Sequence, residues 1–288
     1  MLQKTDQARI IAVHSLRGGI GSSTLANNLA VGLNALWKSP TLLLDVVPNA
    51  GQQALMLNMS LKRTWADLGM IPAEELDLNT LSAITRQHDS GLHLIASPKL
   101  PSDAEEVTSE HFHIALKFLK SRYEYIVADL PHDFNAMTLE VLEAADVILL
   151  VVSPEIASVR AASIALETYK QLNYPEEKIK VVLNWTFERE GLAHDAIEKA
   201  LHAPIHLVIP YAGRRFTNAI NRGIPLLHDQ PEDVISSLLE DFCFRLSKET
   251  NQSIAPASPS PAWHRLNERL QLFAAAQRKQ KSRFSLVR

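Results

Sequence analysis

Short runs of Ile, Val and Leu, each closed by a turn signal, recur along the chain at 9–14, 41–45, 92–96, 125–129, 147–152, 179–184 and 206–209. They are apolar almost throughout, without polar alternation, which is the pattern of strands covered on both faces in a parallel sheet. Between them, apolar residues spaced three and four apart predict helices over 22–36, 109–121, 138–144, 158–172, 194–201 and 233–247. The gaps between strands are long enough for crossover helices. The expected fold is therefore α/β, a mostly parallel sheet with helices on both faces, and no internal repeat interrupts it.

The pattern changes after Glu249. The stretch NQSIAPASPSP is rich in Pro and Ser and reads as a linker over 250–261. Beyond it, a last helical pattern over 262–288 puts Trp263, Leu266, Leu270 and Phe273 on one face, with Arg265, Arg269, Arg278, Lys279 and Lys281 nearby. The chain thus divides into a body over 1–249, the linker and a basic amphipathic helix. Charge sharpens the division: residues 262–288 hold five Arg and two Lys against one Glu, a sum of +6, and the remainder carries −9, for a net charge of −3. Such a helix docks on the body or a partner helix, or lies on an anionic membrane surface, and the sequence leaves these settings open.

Composition sets outer bounds. With 46% hydrophobic and 21% charged residues, the chain can bury a large core and is not disordered as a whole. Its single cysteine, Cys243, excludes an internal disulfide and any site built from several thiolates, which fits a reducing cytoplasm. No run of about 18 apolar residues occurs, so a cytoplasmic protein, soluble or peripheral to a membrane, is expected. Of eleven histidines, His111 and His113 fall on different faces of a predicted helix and no His-Glu-x-x-His occurs, so metal coordination by histidine is set aside.

The candidate chemistry concentrates at the first strand–helix connection. Ser15-Leu16-Arg17-Gly18-Gly19-Ile20-Gly21-Ser22-Ser23-Thr24 follows the first strand and leads into the helical stretch LANNLAVGLNAL. A glycine-rich turn at a helix N-terminus forms an anion cradle, because backbone amides approach phosphates unobstructed and the helix dipole adds positive potential. A tight glycine turn is the plain alternative. The first βα connection of a parallel sheet is where such folds hold ligands, which favours a nucleotide. Two further strands end in acids, Leu44-Asp45 and Ala128-Asp129. Each alone reads as a turn residue; joint placement with the loop makes them candidates for the same site.

The loop resembles the deviant Walker A motif, Lys-Gly-Gly-x-Gly-Lys-Thr-Thr, of MinD/ParA-type P-loop ATPases, matching at Gly18, Gly19, Gly21, Ser23 and Thr24. The resemblance implies a P-loop NTPase-type fold, ATP or ADP with Mg²⁺ as cofactors, and a homodimer. It assigns nucleotide contacts to Arg17, Gly18, Gly19, Ile20, Gly21, Ser22, Ser23 and Thr24, and adenine contacts to Asn184, Ile209 and Pro210. It assigns the metal to Ser23, Asp45 and Asp129, partly through water. The departures concern turnover. Arg17 stands for the signature lysine that reaches across the dimer, and Ser22 for the phosphate-loop lysine. Val47 replaces the aspartate that orients or activates the attacking water, and Asp133 the glycine whose amide contacts the γ-phosphate. No intact catalytic set remains, so ATP binding with weak or absent hydrolysis is expected.

Within that superfamily, GQQALMLNMSLKRTWADL, SGLHLIASPKLPSDAEEVT, YEYIVADLP, LEAADVILLVVSPE and IPYAGRRFTNAINRGIPL are similar to the TadZ/CpaE branch of tight-adherence (Flp) pilus assembly. Many of its members carry a receiver-like domain, whereas the first expected strand here begins at Arg9. The substituted Arg-Gly-Gly-x-Gly loop is also similar to the MinD-like accessory protein of bacterial cellulose secretion. A ParA-type cargo-positioning ATPase with real turnover is a third reading; its DNA binding needs a basic surface, which a −9 body opposes. The resemblance implies pilus or secretion assembly proteins as partners. Because MinD relatives end in an amphipathic helix, it also implies peripheral attachment at the inner membrane face through 262–288.

Overall fold

The computed structural model describes residues 7–49, 51–60 and 62–285, with side chains as far as Ala276. Among these residues, strands β1 (Arg9–His14), β2 (Thr41–Asp45), β3 (Arg86–Gln87), β4 (His93–Ile95), β5 (Tyr125–Asp129), β6 (Val147–Val152), β7 (Ile179–Asn184) and β8 (Ile205–Ile209) form one sheet in the order β3-β4-β2-β5-β1-β6-β7-β8. All neighbours run parallel except β3, which pairs antiparallel with β4 at one edge. The α/β expectation holds, and β3 is the addition: a two-residue strand has no apolar run to announce it.

The helices are α1 (Ser22–Trp37), α2 (Gln53–Met56), α3 (Leu78–Ile84), α4 (Ser109–Arg122), α5 (Ala136–Ala144), α6 (Ile156–Gln171), α7 (His194–Leu201), α8 (Gly213–Arg222), α9 (Leu226–Asp229), α10 (Val234–Leu246), α11 (Glu249–Ser253) and α12 (Pro261–Ser285). Successive strand residues point to opposite faces of the sheet, and the core divides accordingly. Ile10, Ala12, Leu42, Leu44, Ile126, Ala128, Ile148 and Leu150 pack with α4, α5, α6 and α7 on one face. Ile11, Val13, Leu43, Val127, Val147 and Leu149 pack with α1, α10 and the start of α12 on the other.

The stretch expected as a linker is partly built into the body. It contains most of α11, and Ser260 is buried. The Ser260 hydroxyl accepts from the Trp263 amide at 3.0 Å and donates to the Leu36 carbonyl at 2.9 Å. Ser260 thus caps α12 with Pro261 at the first helical position, a favoured Ser-Pro start. Ala262 and Leu266 are buried against α1 and α10. Arg265 pairs with Glu240, and Arg269 with Glu240 and Asp241. Of the settings left open for this helix, its first turns take the docked one, and two of its basic residues are bound to α10. Further along the expected stripe, Leu270 and Phe273 are exposed, as is Leu272. The side chains of Arg278, Lys279 and Lys281 lie outside those described. No helix among the described residues is long and apolar enough to cross a membrane.

Candidate functional site

β1 lies at the middle of the sheet between β5 and β6, with the later strands added on its other side, so the strand order reverses beside it. The loop leaving β1 crosses the carboxyl edge at that reversal, where open α/β sheets form a crevice. Gly19 and Gly21 hold φ of +77° and +91°, a left-handed backbone that disfavours side chains. A Cβ on Gly21 would lie 2.6 Å from Asn184 Nδ2. That amide donates to the Ile20 carbonyl at 2.7 Å. Asn184 is in register with Ile209 across β7–β8, so the fold brings Asn184 and Ile209 to the loop, with exposed Pro210 adjoining them. No side chain caps α1 at Gly21 and its first turn holds no acid, leaving the helix N-terminus suited to an anion.

The polar residues of the loop depart from simple phosphate contacts. Arg17 Nε lies 2.5 Å from Glu155 Oε1 of the same chain. Ser22, standing for the lysine, has a buried hydroxyl with no hydrogen-bond partner. Ser23 and Thr24 are half-buried in the first turn of α1.

Asp45 and Asp129 end β2 and β5 side by side, paired in register and wholly buried. Asp45 accepts from the Val47 amide at 3.2 Å and the Gln53 amide at 3.1 Å. The backbone of Val47 thus orients Asp45, although its side chain offers no acid. Asp129 Oδ2 accepts from Gln53 Nε2 at 2.8 Å, and Oδ1 has no partner. Among the described residues, no lysine or arginine pairs with either acid. Burial, and after it the neighbouring Asp129 charge, pushes the Asp45 carboxyl well above the usual carboxylate range. Burial raises Asp129 likewise, opposed by the Gln53 amide, the Ser23 hydroxyl and the charge of His132.

Gln53 is the site residue that sequence reasoning missed. It is wholly buried, donates from Nε2 to the Ser23 carbonyl at 2.9 Å as well as to Asp129, and accepts from Asn27 Nδ2 at 2.9 Å. The turn that delivers it needs Gly51, where a Cβ would lie 2.0 Å from Ser97 Oγ and 2.5 Å from Asp45 Oδ2. A glutamine that opens a four-residue helix carries no periodic signal; the glycine two residues before it is the only hint.

The loop after β5 closes the far side. His132 Nδ1 donates to the Ser15 carbonyl at 2.9 Å. Beneath it, His14 donates from Nε2 to the Asp133 carbonyl at 3.1 Å and accepts at Nδ1 from the Tyr169 hydroxyl at 2.5 Å. Burial lowers the His14 pKa to about 4, so it is neutral. The Asp133 carboxylate, in the glycine's position, accepts from the Asn135 amide at 3.0 Å and the Thr138 hydroxyl at 3.3 Å and so braces the start of α5. His111 is likewise structural: its ring meets Thr108 and the Ile71 carbonyl.

This donor set fits a magnesium-bound polyphosphate. Among the described residues, two buried carboxylates without a lysine or arginine partner, an unpartnered Asp129 oxygen and the Ser23 hydroxyl are donors of the kind a hard cation takes, beside a glycine cradle of the kind an anion takes.

The sequence model of the family described as Cellulose biosynthesis protein BcsQ matches residues 8–178. A septum site-determining protein MinD of Neisseria meningitidis is 27% identical over 259 residues, covering 85% of this chain and 93% of its own. A chromosome partitioning protein ParA of Myxococcus xanthus is 29% identical over 208 residues, covering 66% and 70%. Among solved structures, a ParA family ATPase from Chlorobium tepidum shares the fold with a TM-score of 0.77 at 24% identity, over 84% of this chain and 100% of that one. MinD from Pyrococcus horikoshii, complexed with Mg-ADP, does so with a TM-score of 0.74 at 19% identity, over 86% and 99%. The matched family region contains the glycine loop, both buried acids and Gln53, and the chain belongs to the BcsQ family of cellulose biosynthesis proteins, within the MinD/ParA superfamily of P-loop ATPases.

Proposed function

We propose that the protein is an ATP-binding assembly factor for a cellulose-secretion machine, a nucleotide-gated dimer with little or no hydrolysis. The observation that carries the reading is the Asp45–Asp129 pair, buried without a cation at the edge of a glycine cradle. Buried carboxylates are costly until a cation joins them. Ser23, Asp45 and Asp129 would hold magnesium, and the amides from Gly18 to Ser23 would meet the phosphates. Bound Mg²⁺ supplies neutralisation of the β- and γ-phosphate oxygens. Val47 has no group to accept a proton from water, and Ser22 adds no charge to the transferring phosphoryl. Loss of one such charge costs on the order of 10³–10⁵ in rate. Arg17 has to leave Glu155 to reach a partner's nucleotide across a two-fold dimer.

The family match favours cellulose secretion over the Flp-pilus branch, because residues 8–178 include four of the five phrases similar to that branch. Titration of a fluorescent ATP analogue, with turnover and sedimentation followed on the same protein, tests the chemistry. Magnesium-dependent binding, near-zero turnover and a nucleotide-dependent dimer are expected. Absence of binding removes the nucleotide reading, and fast turnover abolished by Ser23→Ala makes the protein a working ATPase. Gene deletion in the host is expected to stop cellulose export and leave pili intact; the opposite phenotype moves the protein to the pilus branch.

A further inference from the structure

A phosphate loop without its lysine needs its positive charge from elsewhere, and the described residues offer few sources. Ser22 has a buried, unpartnered hydroxyl, and Arg17 is turned onto Glu155. His132 approaches the loop from the other side. Its Nδ1 is committed to the Ser15 carbonyl at 2.9 Å, which fixes the ring plane. Its opposite edge rests on Gly18: a Cβ there would lie 3.3 Å from Cδ2 and 3.4 Å from Nε2 of His132. Gly18 is therefore a seat for the ring as well as part of the cradle. Among the described residues no hydrogen bond occupies Nε2, and the side chain is exposed at the mouth of the crevice. The charge of His132 also reaches Asp129, whose carboxyl it favours in the ionised form.

We propose that His132 binds the terminal phosphates of the nucleotide through Nε2, supplying the positive charge absent at Ser22. The inference rests on the nucleotide reading above. With Nδ1–H given to a carbonyl, Nε2 donates to a phosphate oxygen only as imidazolium. The charged and titratable groups bearing on the ring are Asp129 at the end of β5, Asp133 next in the chain, neutral His14 beneath, and Arg17 of the loop with Glu155 at the start of α6. In this arrangement the charge sits on the loop after β5, whereas a phosphate-loop lysine sits on the cradle itself, so phosphate binding is coupled to the position of that loop.

Calorimetric titration with Mg²⁺ and ATP, ADP or AMP tests the proposal, alongside thermal unfolding of the nucleotide-free proteins. His132→Asn keeps an amide donor near the position of Nδ1 and removes Nε2; His132→Arg restores a permanent charge. The wild type is expected to prefer ATP over AMP. His132→Asn is expected to lose about ten- to hundredfold in ATP affinity, with AMP affinity and melting temperature unchanged, and His132→Arg to recover most of the loss. The proposal is overturned by a His132→Asn protein that keeps the wild-type preference for ATP, by equal weakening of ATP and AMP, by failure of His132→Arg to recover ATP binding, or by loss of the preference in Arg17→Ala alone. A wild-type protein that binds none of the three nucleotides overturns the nucleotide reading itself.

Discussion

Glu240 in α10 is as completely buried as Asp45 and Asp129 at the strand ends, yet its surroundings are the reverse of theirs. Arg265 and Arg269 of α12 both reach Glu240, the second at 3.0 Å, and Arg269 also meets Asp241 at 2.8 Å. That compensated charge is part of the fold: it fixes α12 against α10. The strand-end acids have hydrogen bonds from Gln53 and Val47 but no cation. Burial is common to both regions; among the described residues only the first has its counter-charge, which is why the second is the candidate binding site.

The largest effect expected follows from removing the partners that exist. Arg265→Ala combined with Arg269→Ala strands Glu240 in the interior and is expected to cost about 3–5 kcal/mol in urea unfolding. Asp129→Asn is expected to leave the nucleotide-free protein equally or more stable, because the new amide oxygen still accepts from Gln53 while the buried charge is gone. The same variant loses its stabilisation by Mg²⁺ and ATP. Comparable destabilisation at both regions breaks the distinction between them.

Next in size is the cradle. Gly21→Ala imposes a side chain at φ +91° with its Cβ 2.6 Å from Asn184 Nδ2, and strain of this kind costs about 1–3 kcal/mol. Unfolding measured alongside Asn184→Ala checks the cause: the double variant is expected to relieve the collision and keep the backbone strain.

A third effect sets pH dependence against the two acids. Their folded-state pKa values are raised, so the free protein loses stability as pH rises from the ordinary carboxylate range through those raised values. Magnesium requires the ionised forms, and its stabilisation grows over the same window by about 1.4 kcal/mol per pH unit for each proton released. The Mg²⁺-induced gain in melting temperature is therefore expected to be larger at pH 8 than at pH 6. His14 has the opposite sign: lowered from 6.5 to about 4, it makes stability fall as pH drops across that interval. A magnesium effect independent of pH removes the two acids from the metal site.

The phosphate loop and both acidic strand ends were legible in the sequence because parallel strands are continuous apolar runs and the loop is punctuated by glycine. Gln53 was not, since its role is set by how the turn after β2 folds back over Asp45. Composition also misled. NQSIAPASPSP looked unable to pack, but its Ser260-Pro261 pair is a helix start whose serine also bonds Leu36. The linear sequence leaves the setting of Arg265 and Arg269 open, because nothing there reveals that α10 holds Glu240 and Asp241 opposite them.

The smallest effect on folding, and the sharpest on location, is expected beyond that clamp. Leu270, Leu272 and Phe273 are 42%, 72% and 65% exposed, so Leu272→Ser with Phe273→Ser removes little that the body uses. Unfolding is expected to change by no more than about 0.5 kcal/mol. Since Arg265 and Arg269 are bound to α10, any attachment to an anionic surface would have to use these exposed apolar residues rather than the two arginines. Co-sedimentation with phosphatidylglycerol vesicles at low salt is expected to fall in the double serine variant while its folding stays intact. A variant that pellets like the wild type, or a wild type that never pellets, gives Leu270, Leu272 and Phe273 to a partner helix. The two halves of one helix would then serve two protein surfaces, one inside the chain and one outside it.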